Sequence, residues 1–262
     1  MNGMEQHNFL STEVLEAVVG SKQHKLHERS SLTITHKLLR IYQRMFEQIG
    51  PRYWWPADTV EEVVIGAILV QNVSWTNTEK ALKNLAEAEL LSFSQLHQAE
   101  LEEIEGCIRS TRFYRTKARK LKAFAEHLEK HDNSLGVMLS QPLDKLRKEL
   151  LKIYGIGPET ADDILLYAAQ LPSFVIDTYT KRIFHRLGLV PEDISYDALR
   201  GWFMEHLPQD VQLYNEYHAL IDAVGHRFCN PSQPKCGECP LQEECVHFKS
   251  IDRHHREQES CP

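Results

Sequence analysis

Residues 142–188, PLDKLRKELLKIYGIGPETADDILLYAAQLPSFVIDTYTKRIFHRLG, set the architecture expected of this chain. Leu143, Leu146, Leu150, Leu151 and Ile153 recur at helical spacing, so an amphipathic helix is expected up to Gly155. Gly155-Ile156-Gly157 breaks it, because two glycines around one aliphatic residue permit a tight turn with positive φ and the close approach of another backbone. Pro158 suits the first turn of a second helix, where its missing N–H is no loss, and Ile164, Leu165, Tyr167 and Ala168 continue that helix. The expected unit is helix, hairpin, helix, with hairpin amides at Gly155 and Gly157 free to hold an anion such as phosphate. Beyond it, the apolar run Val175-Ile176 ends in Asp177-Thr178 and leads into a basic helix bearing Lys181, Arg182 and Arg186.

IYGIGPETAD and VIDTYTKRIFHRLG together resemble the helix-hairpin-helix DNA glycosylases of the endonuclease III superfamily. The resemblance covers roughly residues 34–248 and implies an all-α fold of two helical domains with an iron–sulfur loop. Residues 51–171 would form a six-helix domain containing the hairpin. Residues 31–50 and 172–248 would form the second, between an N-terminal extension (1–30) too mixed and polar to expect much order and a polar tail (249–262). Asp177 would be the catalytic carboxylate. LVQNVSWTNTEKAL is similar to the family segment whose glutamine, here Gln71, fills the gap left by an extruded nucleotide. Phe113, in FYRTKA, would be the apolar wedge beside it. Family position adds Asn72, Arg115, Lys117, Thr160 and Lys181 to the expected DNA contacts.

The sequence departs from the bifunctional members of that family at Glu159. Those members place a Schiff-base lysine two residues after the second hairpin glycine, and a carboxylate cannot form an imine. The expected activity is therefore a monofunctional glycosylase using water activated by Asp177, with strand-cleaving lyase activity weak or absent. WWPADTVEEVVIGAILVQN with GIGPETADDILLYA looks closest to the branch containing 3-methyladenine glycosylases, which implies alkylated purines. Trp54, Trp55, Tyr154 and Trp75 are the aromatic side chains available to stack on such a base. Oxidised pyrimidines, or mismatched uracil or thymine, are the alternative substrates; a non-catalytic DNA-binding iron–sulfur protein is the alternative of another class.

Cys229, Cys236, Cys239 and Cys245 are spaced C-x6-C-x2-C-x5-C, which brings four thiolates onto one ion or cluster. Spacing alone leaves zinc and iron–sulfur open; the family resemblance implies a structural [4Fe–4S] cluster, with zinc the runner-up. Cys107 and Cys261 fall outside the set.

The remainder is consistent with an all-α chain. Ile34–Ile49, the segment capped by Asp58 or Thr59 and running to Val70, and Leu96–Ile108 all carry helical periodicity, and no strand-like alternation is present. A short helix around Thr12–Val19 is also expected. The formal net charge of −7 argues against nucleic acid, but residues 109–122, RSTRFYRTKARKLK, hold seven basic residues and no acidic one, so local sign outweighs the total. No secretory signal or membrane-length apolar run is visible, so an intracellular protein (cytoplasm or nucleoid) is expected, acting as a monomer on damaged double-stranded DNA.

Overall fold

The computed structural model describes residues 27–251, with side chains from Leu32 onward. The expected helix near Thr12–Val19, and Cys261, lie outside the described residues. Among the described residues every regular element is helical: α1 (His27–Ile49), α2 (Val60–Leu69), α3 (Trp75–Glu87), α4 (Phe93–Gln98), α5 (Leu101–Cys107), α6 (Tyr114–His127), α7 (Leu135–Leu139), α8 (Leu143–Leu150), α9 (Pro158–Asp163), α10 (Thr178–Arg186), α11 (Tyr196–His206) and α12 (Val211–Arg227), with short 3-10 turns between some of them. No described helix is long and apolar enough to cross a membrane.

Two helical lobes result. In the first, α2 is the centre: Val63 to Leu69 are all buried, and α3, α6 and the end of the α9 segment pack around it. Its start is fixed by Thr59, whose hydroxyl accepts the Glu62 N–H at 3.1 Å while Glu62 accepts the Asp58 N–H at 2.9 Å. In the second lobe α12 is the centre, packed by α1 and α10. Phe174 stacks on Phe203 with ring centroids 4.0 Å apart, and Tyr217 closes the cluster. The α10–α12 crossing is close because Gly225 has no side chain; a Cβ there would run into Tyr179.

Asp162 joins the lobes. It is fully buried and takes charge-assisted hydrogen bonds from Arg147 of α8 at 2.9 Å and Arg200 of α11 at 3.0 Å, with Ser173 at 2.5 Å.

Three local expectations change. The helix expected over Leu96–Ile108 is two helices, broken where Ala99 turns extended and Lys122 Nζ takes the carbonyls of His97 and Ala99. The helix before the hairpin stops at Leu150 rather than Ile153, and turns occupy the rest. The helix after Pro158 changes pitch: Ile164–Ala168 is a π turn, with Ala169 N–H donating to Ile164 O at 2.9 Å.

Candidate active site

The hairpin is built by anchoring its middle residue. Ile156 is buried, and Gly155, at φ +83, lies where a Cβ would run into the Lys120 side chain. Gly157 caps α9 with Pro158 at its first position. The Gly155 and Gly157 amides donate to no acceptor among the described residues, which leaves them for an anion. Gln71 braces the hairpin: its Nε2 donates to Gly155 O at 3.2 Å and Thr160 Oγ1 at 2.8 Å, and its Oε1 accepts from Lys120. Thr160 is buried in that contact, so it supports Gln71 rather than meeting DNA itself. Asn72 follows, exposed and at φ +54.

The basic segment divides by residue type. Its three lysines turn inward: Lys117 donates to Leu69 O at 2.8 Å, Lys120 to Gln71, and Lys122 to the α4–α5 break. Lys117 is 2% exposed, which removes it from the expected DNA contacts; burial, then the Lys120 charge, lowers its pKa to about 8. The arginines Arg109, Arg112, Arg115 and Arg119 are exposed. Between them Phe113, 60% exposed at φ +59, projects with the Arg112 guanidinium 5.0 Å from its ring centre.

Asp177 caps α10. Its Oδ1 accepts from Thr180 N at 2.6 Å and Thr180 Oγ1 at 2.7 Å, which fixes the carboxylate at the positive end of the helix. Oδ2 faces His218 Nε2 of α12 at 3.8 Å. That nitrogen is buried without a hydrogen-bond partner, while His218 Nδ1 lies 2.7 Å from the Tyr167 hydroxyl. Tyr167 comes from the π turn and continues to Trp55, 5.3 Å between rings, and Trp55, Trp54 and Trp75 form a mutually packed trio. Tyr154 stands on the hairpin, 58% exposed, and makes no ring contact with this wall among the described residues.

Acidic groups crowd the same place. Burial, then the charge of Asp177, raises the Glu159 pKa to about 7, against Lys181, although the residue still reaches solvent. Burial, then Glu159, Asp162 and Asp177, pushes the Asp163 carboxyl well above its usual range. Asp222, one turn beyond His218, is raised by burial and by Asp177, with His218 opposing. His218, Tyr167, Asp163 and Asp222 were not among the sequence-derived site residues. The available signal was His218, Asp222 and His226 at four-residue spacing along one helix.

The four cysteines line one apolar pocket with Phe228, Pro234 and Phe248. Arg186 of α10 holds the loop: Nη1 reaches Cys229 Sγ at 3.2 Å and Asn230 O at 2.8 Å, and Nη2 reaches Pro231 O at 2.7 Å. Arg182 donates to Cys229 O at 2.8 Å. Both arginines thus tie the cysteine loop to the helix that Asp177 caps. Burial, and after it Cys229, Cys245 and Cys236, push the Cys239 thiol up to about 11, against a hydrogen bond from Leu241. Raised Cys236 and Cys239 thiols, gathered with Cys229 and Cys245 around one apolar pocket, fit a cationic centre that would neutralise them.

Residues 65–209 match the family model of the HhH-GPD superfamily base excision DNA repair proteins. The chain is 41% identical over 211 residues to a Methanocaldococcus jannaschii protein whose name assigns it provisionally to the DNA repair glycosylases, covering 80% of this chain and 96% of that one. Endonuclease III of Thermotoga maritima is 31% identical over 192 residues, 71% of this chain and 83% of its own. Of solved structures, a trapped endonuclease III–DNA covalent intermediate superposes with a TM-score of 0.72 at 25% identity, covering 84% of this chain and 99% of that one. H. pylori 3-methyladenine DNA glycosylase bound to 1,N6-ethenoadenine gives 0.64 at 26% identity, covering 75% and 97%. The chain belongs to the HhH-GPD superfamily of base excision DNA repair proteins. Within it, the chain is an endonuclease III-like DNA glycosylase with an all-α, helix-hairpin-helix fold.

Proposed function

We propose that this glycosylase excises alkylated purines by hydrolysis, with Asp177 as its catalytic carboxylate and without lyase chemistry. The observation that carries the proposal is the continuous wall from the tryptophan trio through Tyr167 and His218 to Asp177, set among Glu159, Asp163 and Asp222. Electron-rich rings beside the Asp177 carboxylate favour a cationic base over a neutral one. Loss of the base leaves positive charge on the deoxyribose. Asp177 Oδ1 is held by Thr180, so Oδ2 is the oxygen left to stabilise that charge and take a proton from water. His218 Nε2 faces Oδ2 at 3.8 Å. Glu159 stands where an imine-forming amine would be needed.

The DNA is held by the hairpin amides and by Arg115, Arg119 and Lys181, with Phe113 and Gln71 entering the space of the flipped nucleotide. Entry of Gln71 requires its release from Thr160. The division into residues 51–171 and 31–50 plus 172–248 belongs to the same reading, with the cleft between the lobes.

The cysteines would hold a [4Fe–4S] cluster in a structural role. Bound, the cluster supplies loop rigidity; iron and sulfide analysis of purified protein distinguishes it from zinc.

Duplexes carrying 3-methyladenine or 7-methylguanine, and separately oxidised pyrimidines, test the substrate. Release of free methylpurine, with strand breaks appearing only after alkali, supports the proposal. Preferential release of oxidised pyrimidines defeats it.

A further inference from the structure

Away from the cleft, His127 at the end of α6, His131 in the 3-10 turn after it and Glu149 of α8 bring three ligand atoms within 4.8 Å of one another. Nε2 of His127 and Nε2 of His131 converge on a single oxygen, Glu149 Oε1, at 2.8 and 2.6 Å. The other oxygen, Oε2, accepts from Gln141 Nε2 at 2.8 Å, which fixes the plane of the carboxylate. The three side chains are largely buried. Base excision uses none of them.

We propose that His127, His131 and Glu149 bind one divalent transition-metal ion, zinc being the best match. Two imidazoles and one carboxylate are a borderline donor set that suits zinc and its neighbours; calcium and magnesium take all-oxygen shells. The four-residue spacing across the helix end puts both imidazoles on one side, and α8 supplies the third donor from across the fold. Gln141 orients the ligating carboxylate through its second oxygen, as outer partners of metal ligands do. An ion at about 2.0–2.2 Å from each donor separates them to roughly 3.3 Å, so each histidine must retreat by about half an ångström. Metal-bound Nε2 leaves the proton on Nδ1. Exposed Lys130, whose Nζ lies 3.4 Å from His127 Nδ1, then turns away. Water completes the tetrahedron. The ion would link α6 to α8, the helix that leads directly into the hairpin, and so stiffen its base.

The test uses the purified full chain with its cysteine site loaded. After equilibration with micromolar zinc and gel filtration, one zinc per chain is retained beyond the metal at the cysteines, and the thermal midpoint rises. His131→Asn loses that zinc and the rise, with cysteine-site metal unchanged; Gln141→Ala weakens binding about 10–100-fold. In unaltered protein, the ring resonances of His127 and His131 shift on adding zinc. Equal zinc in the wild type and His131→Asn, or unshifted resonances, overturns the proposal.

Discussion

Asp177 and Glu159 form the residue-scale centre of the account. Asp177→Asn keeps the Thr180 hydrogen bonds available to Oδ1 while removing the charge, so base release should fall by at least about 100-fold with DNA affinity retained. Single-turnover excision and a binding titration check both halves. Glu159, raised to about 7 by burial and Asp177, is half protonated near neutral pH. As pH rises through about 7 it gains a negative charge beside the developing sugar cation, and excision should accelerate. Asp177, Asp163 and Lys181 face the same space, so Glu159→Gln is the discriminating variant: its pH–rate profile should be flat through that range. Both residues were legible because they belong to one contiguous motif. His218 and Tyr167 were not, because a helix from the far lobe and the π turn that follows α9 carry them, and neither is encoded by local spacing.

At the scale of elements, the basic segment is where residue type and charge count part company. Seven cations in fourteen positions read as one DNA-facing run. Helical geometry gives three lysines to carbonyls and Gln71 and leaves the arginines outside. Arg119→Ala should reduce the slope of log affinity against log salt by about 1, as expected for one phosphate contact. Lys117→Met should leave that slope unchanged. Salt titrations of the two variants separate these outcomes. The positions of α2, α8 and α9 were legible from apolar periodicity and from Thr59 and Pro158 at helix starts. The break at Ala99 was not, since it depends on Lys122 arriving from another helix to take two freed carbonyls.

The whole molecule depends on the junction between lobes. Asp162 has no access to water and two guanidinium partners, one from each lobe. Arg147 and Ser173 still pair the carboxylate when Arg200 is removed, so Arg200→Met should lower unfolding free energy by about 1–3 kcal/mol. Urea denaturation measures it, and a loss under about 1 kcal/mol would show that the junction is held by apolar packing instead. The two-lobe arrangement was legible only through family resemblance, because nothing in the spacing of Asp162 announces partners at Arg147 and Arg200. The same holds for the cysteine loop: its spacing indicates a metal centre, whereas its attachment to α10 through Arg182 and Arg186 appears only in the fold.

The most direct test of water rather than amine as the attacking group is borohydride trapping on duplex DNA containing a methylated purine. The wild type should release base and give no covalent adduct, while Glu159→Lys, which restores an amine beside Asp177, should give a trapped adduct. A wild-type adduct, which would need another amine such as Lys181, would contradict the account.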